Sequence, residues 1–169
     1  MPLPSMRQLD VAPRDTFLQT VSPLFEEAPR FLERLADSRP FGSWDELFRE
    51  ADAIALAAPI DVQLELLDAH PRIGAPPAEV SALSYREQGY DREQAEAIEA
   101  LGPLNDAYEA RFGFRYVIFV AGRPRSAIVP LLQGALDEEP DAERVRGVAD
   151  VVAIARARAQ GLGMEEDAP

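Results

Sequence analysis

The sequence has no cysteine, no lysine and one histidine, His70. Without cysteine there are no disulfides, no thiolate nucleophile and no cysteine-ligated metal. All 17 basic residues are arginine, which removes lysine Schiff bases and the usual anchor for pyridoxal phosphate. One imidazole cannot build a multi-histidine zinc or iron site, so neither metal nor cofactor is expected. Long apolar runs are also missing: none approaches the ~18–20 residues that cross a bilayer, so no membrane partner is expected. The start, Met1-Pro2-Leu3-Pro4, lacks the basic and apolar stretches of a secretory signal, and the acidic end at 165–169 carries no readable address. A cytoplasmic location is the expectation. Positive charge is scarce, with 17 basic against 30 acidic residues and a net charge of −13. No basic cluster exists to displace counterions from phosphates, so nucleic acid is not an expected partner. An anionic ligand would be repelled at long range, and any anion site must be built locally from arginines. G-x-S-x-G, P-loop and G-x-G-x-x-G patterns are absent, leaving serine-hydrolase chemistry and dinucleotide binding without support.

What is present is globular: 169 residues, 47% hydrophobic and 28% charged, enough for a real core. Prolines punctuate the chain. Residues 14–24 and 29–37 read as short helices, the second opening with Pro29 in its first turn. Ser43 and Glu46 form a capping box, and the helix they start runs to about Ala58. Pro59 opens another, with Val62, Leu66, Leu67 and Ala69 inward and Asp61, Glu65 and Asp68 outward. Pro71 ends it, which leaves His70 at a helix carboxyl end. Helices are expected near Ser84 and Asp91, the latter interrupted by Gly102-Pro103. Residues 115–121 alone have strand composition, and helices at about 125–137 and 141–162 close the chain. The fold class is all-α: a single compact helical domain over 1–169, of about seven to nine helices. It would have one extended segment near 115–121 and frayed ends at about 1–8 and 163–169.

Four segments carry candidate chemistry. A helix carboxyl end favours imidazolium, tending to raise the pKa of His70 toward that of a proton donor near neutrality. Equally, His70 caps its helix and nothing more. In Ser84-Tyr85-Arg86-Glu87-Gln88, Ser84 and Glu87 read as a capping box, or as an anion-binding helix start presenting Glu87 and Gln88 to a ligand. An extended stretch within a helical domain leaves backbone groups that a planar, donor- and acceptor-rich ligand would satisfy. Arg156 and Arg158 lie on an Ala-rich helix, where arginines are usually solvated. One turned inward would clamp a carboxylate.

In order along the chain stand FEEAP at 25–29, RPFGSWDEL at 39–47, HPRIG at 70–74, SYREQG at 84–89, LNDAYEARFGF at 104–114, YVIFVAGRP at 116–124 and IARAR at 154–158. In this order and spacing they resemble the OHCU decarboxylases, which convert 2-oxo-4-hydroxy-4-carboxy-5-ureidoimidazoline to (S)-allantoin in urate degradation. The resemblance implies an all-α, cofactor-independent and commonly dimeric enzyme acting on a small anionic heterocycle. It implies His70 as catalytic acid with Glu87 as its partner. Pro71, Ser84, Gln88 and the backbone of Phe119, Val120, Ala121, Gly122 and Arg123 would line the substrate, and Arg158 would hold a carboxylate. Three departures stand out: Arg30 where many relatives carry tryptophan, Gly102-Pro103 within a helix, and Ala135 in place of an arginine read as exposed. None touches the implied catalytic pair. A non-catalytic helical binding domain, and a related lyase on the same scaffold, are the competing readings.

Overall fold

The computed structural model describes residues 2–74, Leu83 and residues 95–164. Among these, the helices are α1 (Met6–Val11), α2 (Arg14–Val21), α3 (Pro29–Asp37), α4 (Trp44–Ala57), α5 (Ile60–Asp68), α6 (Ala95–Phe112), α7 (Arg125–Ala135) and α8 (Pro140–Gly161), with a 3-10 turn at Ser22–Phe25. No described helix is long and apolar enough to cross a membrane.

Proline sets most of the helix starts. Pro29 and Pro140 stand in the first turns of α3 and α8, where their missing N–H costs nothing. Pro13, Pro59 and Pro124 occupy the N-cap positions of α2, α5 and α7. The expected helix at 14–24 stops being α-helical at Val21 and tightens into the 3-10 turn, because Pro23 has no N–H to continue the ladder. Ser43 caps α4 through Glu46 N at 3.1 Å, but the box is half-formed: the Glu46 carboxylate turns to Arg49 instead. A complete box sits at Ser5 and Gln8, in the stretch read as frayed. There Met6 is fully buried and the Trp44 indole donates to Pro4 O, so the amino end is part of the core. Residues 165–169, at the other expected fray, lie outside the described residues.

The long α8 runs through the middle, packed on α4, α5 and the 3-10 turn. Val148, Val151, Val152, Ile154, Ala155 and Ala159 form its buried face. Gly147 lets it approach α5: a Cβ there would stand 2.9 Å from Leu67 Cδ2. Two expectations change at the other end. Helix α6 runs unbroken through Gly102-Pro103, since the carbonyl that Pro103 fails to satisfy belongs to Glu99, which is exposed to water. Ala135, read as a surface position, is buried at 7% exposure. Residues 115–120 are irregular and belong to no strand. From this stretch Tyr116 packs against Tyr108, ring centroids 5.0 Å apart, beside Phe112 at 4.5 Å, while Val117 and Val120 are buried in the core.

Candidate active site

His70 follows the last turn of α5, where carbonyls lack helical partners. Its own N–H bonds to Leu67 O, and its ring Nδ1 lies 3.2 Å from Leu66 O. A carbonyl only accepts, so Nδ1 carries the hydrogen and the neutral ring presents Nε2 as a bare lone pair. The residue is 3% exposed, and Nε2 is buried with no hydrogen-bond partner among the described residues. Burial, then the Arg158 charge, pushes the His70 pKa down to about 4, against an opposing pull from Glu26 and the Leu66 carbonyl. The expected rise is therefore reversed. A single carbonyl dipole is outweighed by desolvation of the imidazolium and a neighbouring cation.

The HPRIG loop is clamped from α6. Arg72 donates to both carboxylate oxygens of Glu109, at 2.8 and 2.6 Å, and also pairs with Asp106. Asn105 Nδ2 donates to Ile73 O and to Leu101 O, each at 2.9 Å. Gly74 takes φ +81 with Leu101 packed against it, a conformation that a side chain would strain. From beyond α6, Arg115 Nη1 bridges Asp68 O and His70 O. The polar residues of LNDAYEARF thus hold the loop that carries His70.

Arg158 points inward from α8, its side chain 2% exposed. Nη1 donates to Leu24 O at 3.0 Å, and Nη2 pairs with Glu26 Oε1 at 2.9 Å. Arg156 goes the other way, to Asp45 and over the Phe48 ring. The structure thereby brings His70 and Arg158 into one buried electrostatic cluster with Glu26, a residue to which the sequence reading assigned no role. Its motif, FEEAP, was visible. That its first glutamate turns inward depends on the left-handed conformation of Glu26 after the 3-10 turn, which no glycine or asparagine in the sequence announces.

Residues 119–123 form a separate tether on α8. The Phe119 N–H donates to Asp150 Oδ2 at 3.1 Å, and Val117 O accepts from Arg146 Nη1 at 2.9 Å. Arg146 is in turn doubly bonded to Glu143, which accepts from the Tyr108 hydroxyl at 2.7 Å. Burial, and then Glu143, raises the Tyr108 pKa. Arg123 folds back onto Phe119 O and Val120 O, with Ala121 and Gly122 in left-handed conformations at φ 51 and 74. Of the backbone groups expected to meet a ligand, the Phe119 N–H and the Phe119 and Val120 carbonyls have protein partners. Pro71 is half-buried beside His70. Ser84, Glu87 and Gln88 lie outside the described residues. Arg30 is half-exposed and joins α3 to Asp61 and Glu65 of α5.

The family model for OHCU decarboxylase matches residues 10–160, nearly the whole helical array. The chain belongs to the OHCU decarboxylase family. A 2-oxo-4-hydroxy-4-carboxy-5-ureidoimidazoline decarboxylase of Haloferax volcanii is 30% identical over 157 residues, covering 91% of this chain and 93% of that protein. One of Halalkalicoccus jeotgali is 29% identical, covering 96% and 94%. The uric acid degradation bifunctional protein PucL of Bacillus subtilis is 32% identical over 91% of this chain, which spans only 32% of that relative's length. A crystal structure of OHCU decarboxylase in the presence of (S)-allantoin shares the fold, with a TM-score of 0.70 at 22% identity over 84% of this chain and 95% of that one.

Proposed function

We propose that this member of the OHCU decarboxylase family carries out the cofactor-free decarboxylation of 2-oxo-4-hydroxy-4-carboxy-5-ureidoimidazoline to (S)-allantoin in urate degradation. Family membership supports the activity. The observation that carries the mechanism is the buried Nε2 of His70, which has no hydrogen-bond partner among the described residues and feels the charge of Arg158. An unmet buried acceptor typically costs ~1–3 kcal/mol, so a ligand that brings a donor is favoured there.

The substrate holds its own electron sink. As the carboxylate carbon departs as CO₂, its bonding pair becomes a ring C=C bond. The adjoining C=N pair moves onto nitrogen, which takes a proton. The resulting enol loses its hydroxyl proton and gains one on the neighbouring carbon, giving allantoin. Arg158 holds the carboxylate. The anion it admits raises the proton affinity of His70, opposing the depression in the free protein. Neutral Nε2 accepts the hydroxyl proton, and the imidazolium returns a proton to one face of the carbon. His70 is thus an acid that is loaded during turnover, with Glu87 as its partner. Pro71, Ser84, Gln88 and the backbone of Phe119 to Arg123 line the substrate. The reading extends to one domain over 1–169, working as a homodimer in the cytoplasm.

Circular dichroism of allantoin formed from urate by a urate oxidase and a hydroxyisourate hydrolase tests the proposal. Rapid accumulation of the (S) enantiomer is expected with the chain present, and loss of that signal with His70→Ala and Glu87→Ala. A signal that merely tracked the slow unaided decay would leave a helical binding domain as the better reading.

A further inference from the structure

The 3-10 turn at Ser22–Phe25 ends in two successive left-handed residues, Glu26 at φ 52 and Glu27 at φ 60. Neither is a glycine or an asparagine, so the conformation is unfavourable for both and must be imposed by the surroundings. Its consequence is specific. Glu27 is exposed, whereas Glu26 turns under the turn to meet Arg158 Nη2 at 2.9 Å, with its side chain 12% exposed. The same guanidinium donates to the carbonyls of Leu24 at 3.0 Å and Pro23 at 3.4 Å. One short turn therefore supplies a carboxylate and two carbonyls to a single arginine.

Arginine carries a long side chain with several rotatable bonds, and a site that must hold a carboxylate in one pose needs that freedom removed. The same cation weakens the ability of His70 to take up a proton. Among the described residues the charged groups acting on the ring are Arg158 from α8 and Glu26 from the turn, while α5 contributes the Leu66 carbonyl. Arg115 touches only the His70 backbone oxygen. Glu26 is thus placed to act on both site residues at once.

We propose that Glu26 is a positioning residue for the decarboxylation: its carboxylate fixes the Arg158 guanidinium against the 3-10 turn and offsets that arginine's charge at His70. The roles of Arg158 and His70 rest on the decarboxylase reading above. The position of Glu26 between them does not.

With a single histidine in the chain, the ring signals of His70 are unambiguous in NMR, and its titration is read on the full-length protein. Glu26→Gln removes the charge and keeps the shape. Loss of an anion that favours imidazolium should lower the His70 midpoint by about one unit or more. In steady-state assays with enzymatically generated substrate, kcat should fall by roughly 10- to 100-fold through loss of pose. KM should not rise, because a less compensated arginine binds a carboxylate at least as well. Glu26→Asp, which keeps the charge on a shorter arm, should restore the titration midpoint and leave kcat reduced. If Glu26→Gln does not fold, Arg158→Gln is compared with the Glu26→Gln/Arg158→Gln pair, where loss of Glu26 must again lower the midpoint. A midpoint indifferent to Glu26 in both backgrounds overturns the inference, as does a Glu26→Gln enzyme with wild-type kcat. If the wild-type chain shows no turnover, the decarboxylase reading falls and the titration alone decides what Glu26 does.

Discussion

His70 has one ring nitrogen committed to Leu66 O and the other buried without a partner among the described residues, and its stability cost follows from that asymmetry. In the unfolded chain it titrates near 6.5, and in the folded protein burial and Arg158 hold it down to about 4. The folded state therefore binds fewer protons across this window. Its stability is fully present above pH ~6.5 and is lost as pH falls toward the folded value. A shift of this size corresponds to on the order of 3 kcal/mol. His70→Gln should remove that dependence, so urea melts of the two proteins should converge as pH drops from about 7 to about 4. Parallel melts would contradict the depressed pKa. Turnover should show the same absence of an ordinary histidine: kcat/KM should stay flat through pH ~6.5, because it reports the free enzyme. The residue itself was legible, as the lone histidine before a helix-ending proline. The direction of its shift was not, because burial and the approach of Arg158 come from elements far away in sequence. The split between Arg156 and Arg158 was half-legible: residues two apart on a helix point roughly 200° from each other, so only one can face the core. Which one does so is decided by packing on the 3-10 turn.

Helix boundaries followed the prolines closely because proline acts locally, through its fixed φ and missing N–H. What proline does inside an element is less local. Pro103 lies mid-way along α6, yet the helix continues, held by the Asn105 and Arg72 contacts to the His70 loop. Its missing bond to Glu99 O is left to water. Pro103→Ala should restore that bond and raise stability by about 1–3 kcal/mol, read from thermal or urea unfolding, with turnover unchanged. A destabilised variant would mean that the helix depends on proline at this position. The stretch at 115–120 was expected as an extended segment and lies outside any helix, without a strand partner among the described residues. Its strand composition reports a buried, crowded path as much as ladder pairing. Its polar backbone is satisfied by side chains, chiefly Asp150 on Phe119 N–H and Arg146 on Val117 O, and no periodicity foretells such bonds. If the turn at 119–123 lines the substrate, Asp150→Ala should raise KM several-fold, with kcat less affected. An unchanged KM would remove this turn from the binding surface.

At the scale of the whole chain, a net charge of −13 surrounds the site proposed to accept an anion. The arginines do little to counter this at long range, because many of the described ones are paired with carboxylates. Arg30 bridges Asp61 and Glu65, Arg72 holds Glu109, Arg146 holds Glu143, and Arg158 faces Glu26. Each pair is close to neutral from a distance, so an approaching substrate meets the acidic excess first and the arginine only on contact. This much was legible from composition. That Arg158 and Glu26 meet beside His70 was not. The two ranges respond differently to salt. Screening shortens the reach of exposed charge from ~30 Å at 0.01 M to ~8 Å at 0.15 M, while the buried pair is screened little. Raising ionic strength across that interval should therefore increase kcat/KM, by removing repulsion during encounter and sparing the contact itself. A stopped-flow or coupled assay over a sodium chloride series at fixed pH measures it. A fall in kcat/KM would mean that the entrance is cationic over several ångströms, with an acidic surface confined to the far side of the molecule.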